Sequence, residues 1–247
     1  MFTAILDDIS LLEDCVATIS ELIDEAEFKV RKDGIHLLAA DRAVVAVVDF
    51  YFSSENFREY NYESDATIGI SLQPFLKVLK RARKDDVLIM QLEESYLTLV
   101  LKGVSTRRFK LPLIEIHSEV PPGIEKLNFP ASVDIRSDVL QDCVRDAELV
   151  ADSLVFELSP EKLVIKAEGD SSVVEAELTK DSDAVRINTG KEARARYSIE
   201  YLKKMLKASK IADIATLAFD TNYPMKLTFA MQDRVKLSFI LAPRVED

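Results

Sequence analysis

The sequence predicts an α+β protein made of two tandem copies of one unit, each dominated by antiparallel hairpins. Three observations lead there. First, the chain matches itself. Shifted by 128 residues, Leu12-Glu13-Asp14-Cys15-Val16 falls on Leu140-Gln141-Asp142-Cys143-Val144, and Phe28, Leu37, Ala39 and Val45 fall on Phe156, Ile165, Ala167 and Val173. Further on the shift becomes 126: Phe75-Leu76-Lys77 meets Tyr201-Leu202-Lys203, and Arg108, Lys110 and Leu111 meet Arg234, Lys236 and Leu237. Second, both copies run helix, strands, helix, strands, the order expected of repeated α+β units. Third, 247 residues with 48% hydrophobic and 30% charged content, and only 6 Gly and 8 Pro, suit two globular domains with good cores and no long disordered linker.

Taken in order, residues 1–6 read as a strand. Residues 10–26 read as a helix with Leu11, Cys15, Ile19 and Leu22 on one stripe, Ser10 as N-cap and Glu13 completing a capping box. Strands follow at 28–30, 35–39 and 44–52, with Asp33-Gly34 as a hairpin turn, and another strand at 61–71. An amphipathic helix is expected over 71–86, SLQPFLKVLKRARKDD. Leu72, Phe75, Leu76, Leu79 and Ala82 share one face, and Lys77, Lys80, Arg81 and Lys84 the other. Pro74 is tolerated in the first turn, where its missing N–H costs no helical bond. Strands at 87–92, 96–101 and 106–113 end the first copy. Residues 115–128, with Pro121-Pro122-Gly123 and no periodicity, are the connector. The expected division is a domain at 1–117, a connector at 118–128 and a domain at 129–247. Ile114, Ile116, Val120, Ile124 and Leu127 give the connector an apolar side, so it is expected to lie on a surface.

The second copy carries helices over 137–151 and 198–212. The latter sets Lys203, Lys207 and Lys210 on one stripe, with Lys204 beside them and Ser198 as N-cap. The net charge is −11, which argues against wholesale nucleic-acid coating and leaves room for a local basic surface. One cationic helix face is ordinarily just solvated. The same design at equivalent positions of both copies of an acidic protein points to a nucleic-acid-facing role. The 137–151 helix bears Asp138, Asp142 and Asp146 at i, i+4, i+8, with Gln141 and Arg145 alongside. That stripe reads either as solvated surface or as one side of an ion-pair network with Arg81, Arg83 and Arg108 of a second subunit.

Several function classes are excluded. No apolar run reaches the ~18 residues of a membrane helix, and the N-terminus lacks a cationic signal region. Cys15 and Cys143 are too few for a disulfide framework, and a reduced cytoplasmic setting follows. Two histidines, His36 and His117, leave no metal-ligand spacing and little room for a catalytic triad. Walker, GxGxxG and GxSxG motifs are absent, and Asp7-Asp8 and Asp85-Asp86 read as turn and cap residues. No enzyme, metal or cofactor is expected.

The repeat, the connector and the ending Ile240-Leu241-Ala242-Pro243-Arg244-Val245-Glu246-Asp247 resemble the proliferating cell nuclear antigen family of DNA sliding clamps. So do Leu22-Ile23-Asp24-Glu25-Ala26, Asp33-Gly34-Ile35, Leu76-Lys77-Val78-Leu79-Lys80, Phe109-Lys110-Leu111-Pro112-Leu113 and Tyr223-Pro224-Met225. The resemblance spans the chain, and its end at Asp247 is more like archaeal members. It implies two domains of the DNA-clamp type in a trimeric ring, sheets outside and helices inside, closed on duplex DNA without reading sequence. It implies a processivity factor in DNA replication and repair that tethers polymerase, clamp loader, flap nuclease and DNA ligase through short peptides, in a nucleoid-associated location. By position the DNA-facing residues are Lys77, Lys80, Arg81, Lys84, Arg145, Lys203, Lys204, Lys207 and Lys210. The first helix departs, with Glu13, Ala17 and Ser20 where members place lysines. The partner-peptide pocket maps to Ala40, Val44, Val45, Val47, Ile124, Leu127, Pro224, Ile240, Leu241, Ala242 and Pro243, residues that otherwise read as plain core. The alternative reading is a non-catalytic scaffold or clamp paralogue that works only within a heteromeric ring.

Overall fold

The computed structural model describes residues 2–116 and 120–245; Met1, His117 of the connector and the closing Glu246-Asp247 lie outside them. The first copy runs β1 (Phe2–Leu6), α1 (Ile9–Ile19), β2 (Glu25–Arg31), β3 (Gly34–Ala40), β4 (Ala46–Ser53), β5 (Glu59–Tyr62), β6 (Ala66–Ser71), α2 (Leu72–Leu79), β7 (Val87–Leu92), β8 (Tyr96–Lys102) and β9 (Thr106–Pro112). The second runs β10 (Ala131–Arg136), α3 (Ser137–Glu148), β11 (Ser153–Leu158), β12 (Lys162–Glu168), β13 (Val173–Thr179), β14 (Val185–Ile187), β15 (Ala193–Ser198), α4 (Ile199–Met205), β16 (Ile214–Phe219), β17 (Met225–Met231) and β18 (Val235–Leu241).

Strands of the first copy fall in the orders β5-β1-β7-β8-β9 and β4-β3-β2-β6; those of the second fall in β14-β10-β16-β17-β18 and β13-β12-β11-β15. Adding nine to each strand number converts one set into the other, so the duplication read from sequence is a duplication of topology. Three of the four apolar positions matched in sequence are matched in burial: Phe28 with Phe156, Leu37 with Ile165 and Ala39 with Ala167 are all core, whereas Val45 is half-buried and Val173 is 57% exposed.

By contacts the chain forms two units. Unit 1 takes residues 1–42, 48–120 and 231–237, and unit 2 takes 43–47, 121–230 and 238–247. In unit 1, α1 packs on α2, and the Phe75 ring meets Phe28 edge-on, as Phe28 meets Phe50. The returning segment 231–237 is clasped there: Asn56 Nδ2 donates to the Arg234 carbonyl at 2.7 Å and Arg234 Nε donates to Asn56 Oδ1 at 2.8 Å. In unit 2, α3 packs on α4 over Phe156, Tyr197 and Phe219, and the buried Tyr197 hydroxyl donates to the Tyr223 carbonyl at 2.7 Å. Both second helices start alike. The Leu72 N–H donates to the Asp24 carbonyl at 2.9 Å, and the Ile199 N–H to the Asp152 carbonyl at 3.0 Å. Ser71 and Ser198 are thus the equivalent N-caps, an offset of 127 at this helix rather than 126.

Several boundaries differ from expectation, each for a local reason. α1 starts at Ile9 because the Asp8 carboxylate, not Ser10, caps it, accepting the Ser10 N–H at 3.2 Å. It ends at Ile19, and residues 25–27 join β2, where they pair with β6. The hairpin turn is Lys32-Asp33; Gly34 is already strand, facing Arg31, and at φ 150° a Cβ there would collide with the Phe52 carbonyl. The expected strand over 61–71 is two strands in different sheets, β5 and β6, broken at Glu63-Ser64-Asp65. The cationic helix stops at Leu79 and α4 at Met205, the latter continuing as a 3-10 turn over Leu206–Lys210.

Candidate functional site

Lys77 lies on α2, Lys80 caps its C-terminus, and Arg81, Arg83 and Lys84 follow in the turn that leads to β7. All five are exposed, and none forms an ion pair among the described residues. Cations at a helix C-terminus complement its dipole. The turn that carries them is built from inside. Asp86, 4% exposed, accepts the Arg83 N–H at 2.8 Å and forms an ion pair with the Arg107 guanidinium on β9. Arg107 Nη1 in turn donates to the Arg81 carbonyl at 2.8 Å. Gly103 completes the fit, since a Cβ there would collide with the Asp86 carboxylate. Sequence reasoning took Asp86 as a turn residue and missed this network, because its partners stand 21 residues away on another strand.

The second copy is arranged differently. Lys203 pairs with Glu148 on α3. Lys204 pairs with Glu200 at 2.7 Å and lies 5.4 Å over the Tyr201 ring. Arg145 pairs with Asp142 at 3.1 Å. Lys207 and Lys210 are exposed on the 3-10 turn. In the acidic stripe of α3, Asp138 is tied to Arg136 and Asp142 to Arg145, and Asp146 alone of the three has no ion pair among the described residues.

β9 and β13 end their strand orders. β9 presents Arg108 outward beside Lys110, which is paired with Glu93 at 3.0 Å, and β13 presents Glu175 beside Glu177, which is paired with Lys162 at 2.6 Å. β13 also leaves Val173 exposed and its alternate positions half-buried, an unusually open strand. Neither edge was singled out from sequence, where alternation marks a strand but not its neighbours.

Of the expected pocket residues, Ala40 belongs to unit 1 and the rest to unit 2. Within unit 2, Val47, Ile240 and Leu241 are buried core rather than exposed lining. Val45, Ile124, Leu127, Pro224, Ala242 and Pro243 are half-buried. Val44 is 53% exposed and sits at φ 55°, a left-handed conformation that is rare for a β-branched residue. The Ala242 N–H donates to the Val45 carbonyl at 2.9 Å, which joins segment 43–47 to the end of β18.

Past this point Arg244 anchors the tail: its N–H donates to the Arg196 carbonyl and its guanidinium to Asp152, both at 2.8 Å. Hydrogen bonding from Arg244 holds the Asp152 carboxyl below its ordinary 3.8. A depressed carboxyl stabilises above the unfolded value and loses that stabilisation as pH falls through the folded one. The tail is therefore expected to stay attached above about pH 3.8 and to loosen below it. The protection factor of the Arg244 amide reports this; a loss of protection well above that pH would contradict it.

Among the described residues no three His, Cys, Asp or Glu side chains are gathered as metal ligands, and no helix is long and apolar enough to cross a membrane. Cys15 is buried and Cys143 half-buried, both as free thiols. His36 instead holds Asp33, with Nε2 3.0 Å from Oδ1, and its ring lies 4.9 Å from that of Tyr51.

Known proteins match over the full length. The N-terminal domain of proliferating cell nuclear antigen matches residues 1–119, and its C-terminal domain residues 123–244. The chain is 37% identical over 248 residues to a DNA polymerase sliding clamp of Thermococcus gammatolerans, covering 100% of this chain and 99% of that protein. It is 37% identical over 234 residues to the DNA polymerase sliding clamp of Pyrococcus furiosus, 94% of each. The crystal structure of PCNA from Thermococcus kodakaraensis superposes with a TM-score of 0.88 at 32% identity, covering 99% of this chain and 100% of that one. With both domain families, full-length relatives and a shared architecture in agreement, the chain belongs to the proliferating cell nuclear antigen family, the DNA polymerase sliding clamps.

Proposed function

We propose that this chain is the subunit of a non-enzymatic clamp: three copies close into a ring on duplex DNA and hold replication and repair enzymes there. The observation that carries the reading is the pair of open edges, cationic on β9 and anionic on β13. An unpaired strand edge invites another strand, and two different complementary edges on one chain give a head-to-tail contact, the kind that forms a ring where its rotation closes. Arg81, Arg83 and Arg108 facing Asp138, Asp142 and Asp146 of the neighbour would fix register.

Residues 1–117 and 129–247 serve as the two clamp domains of each subunit and 118–128 as the connector. Helices α1 to α4 face the hole, and the cations of α2, α3 and α4 are the candidates for contact with phosphates. Such contacts have nearly the same energy at every register, so the ring slides. Val44, Val45, Ile124, Leu127, Pro224, Ala242 and Pro243 receive short peptides of polymerase, clamp loader, flap nuclease and ligase, and the connector covers that site. The ring works inside the cell, where both thiols stay reduced.

Light scattering on the purified chain is expected to give a trimer, and the trimer is expected to raise product length of a cognate polymerase on primed circular DNA. A monomer that gives no stimulation alone, and gains it on adding a paralogue, would replace this reading with the heteromeric ring.

A further inference from the structure

We propose that DNA contact is unequal within each subunit: Lys77, Lys80 and Lys84 of the first copy carry it, and Arg145, Lys203 and Lys204 of the second copy are neutralised by their own acids. The inference rests on the clamp reading and adds which charges are available to phosphate. In the first copy Lys77, Lys80, Arg81, Arg83 and Lys84 stand exposed with no ion pair among the described residues. The one exposed acid in the stretch is Asp85, because Asp86 is buried against Arg107. The backbone that carries these cations is fixed at two points, by Asp86 on the Arg83 amide and by Arg107 on the Arg81 carbonyl. A fixed turn has less conformational freedom to lose when it meets a phosphate.

With Ser71 and Ser198 as the equivalent caps, Lys77 corresponds to Lys204 and Asp86 to Asp213. Among the described residues the matching stretch is built differently. Asp213 is exposed, and its carbonyl is used by the Ser137 N–H at 2.8 Å. Lys204 is held by Glu200, Lys203 by Glu148 and Arg145 by Asp142. A phosphate approaching such a pair meets a dipole rather than a charge, and over the ~10 Å screening length at 0.1 M salt its field is nearly spent. If the lysine swings away, the acid stays behind and repels the phosphate.

The test measures how affinity for a short fluorescent duplex varies with salt, by anisotropy, with light scattering as a check that the ring is intact. Each lost phosphate contact lowers the slope of log K on log salt by about 0.9. Lys77→Ala with Lys80→Ala and Lys84→Ala is expected to lower it by about 2 or more, and Arg145→Ala with Lys203→Ala and Lys204→Ala by less than about 1. Equal losses, or the larger loss from the second set, overturn the inference. Glu148→Gln with Glu200→Gln removes no cation and frees two, so it should steepen the slope by about 1 to 2; an unchanged slope counts against the proposal even where an alanine set fails to assemble. A wild-type chain that stimulates polymerase while the two sets behave alike sinks only this inference. A wild-type chain that neither binds duplex nor stimulates polymerase sinks the clamp reading and this inference with it.

Discussion

Asp86→Ala is expected to lower the unfolding free energy by about 3–5 kcal/mol, the usual cost of removing one member of a buried ion pair. The carboxylate is 4% exposed and the Arg107 side chain 23% exposed. Without the carboxylate, the guanidinium stays largely desolvated with no counter-charge, and its Nε already has no hydrogen-bond partner among the described residues. The Arg83 amide loses its acceptor as well. Denaturant melts should show a lower midpoint at unchanged slope, because the surface exposed on unfolding is the same. Asp86→Asn keeps an oxygen for the Arg83 amide and loses only the charge, so it should fall between wild type and alanine. A loss below about 1 kcal/mol for the alanine variant would place the pair with ordinary surface ion pairs.

Reversing charge along α3 is the second large effect. Asp142→Lys with Asp146→Lys should shift the proposed trimer toward monomer at micromolar concentration in light scattering, since like charges set against each other across an interface cost several kcal/mol. The two positions are not equal. Asp142 is engaged by Arg145 on its own helix, whereas Asp146 has no ion pair among the described residues. Asp146→Lys alone should therefore weaken the ring more than Asp142→Lys alone. A trimer that survives the double change would remove the α3 stripe from the interface.

The sequence made the duplication legible because burial constrains residue type: Phe28 and Phe156, or Phe75 and Leu202, must be apolar wherever the two copies share a core position. Strand existence was equally visible at β7, β8 and β9, where apolar positions alternate between short turns. Helix ends were not. Periodicity carries on past Leu79 because Lys80, Arg81 and Lys84 keep helical spacing while the backbone, drawn in by Asp86, has already turned. Ser10 looked like a cap because Ser and Asp serve equally well there, and Asp8 holds the position. The charge stripes were legible as composition only. Which lysines are paired depends on Glu148 meeting Lys203 across two helices 55 residues apart in sequence, and no local pattern encodes that. The open edges β9 and β13 depend likewise on which strands are neighbours.

The assignment of short segments to the opposite copy's unit has a consequence for how the chain can be divided. Residues 43–47 belong with unit 2, and residues 231–237 with unit 1, where Arg234 is clasped by Asn56. The chain thus passes between the units five times rather than once. Severing the connector would leave an N-terminal fragment without the Arg234 clasp and a C-terminal fragment without the Val45 carbonyl that receives Ala242. The duplicated halves share topology, yet each relies on a short segment from the other half of the chain.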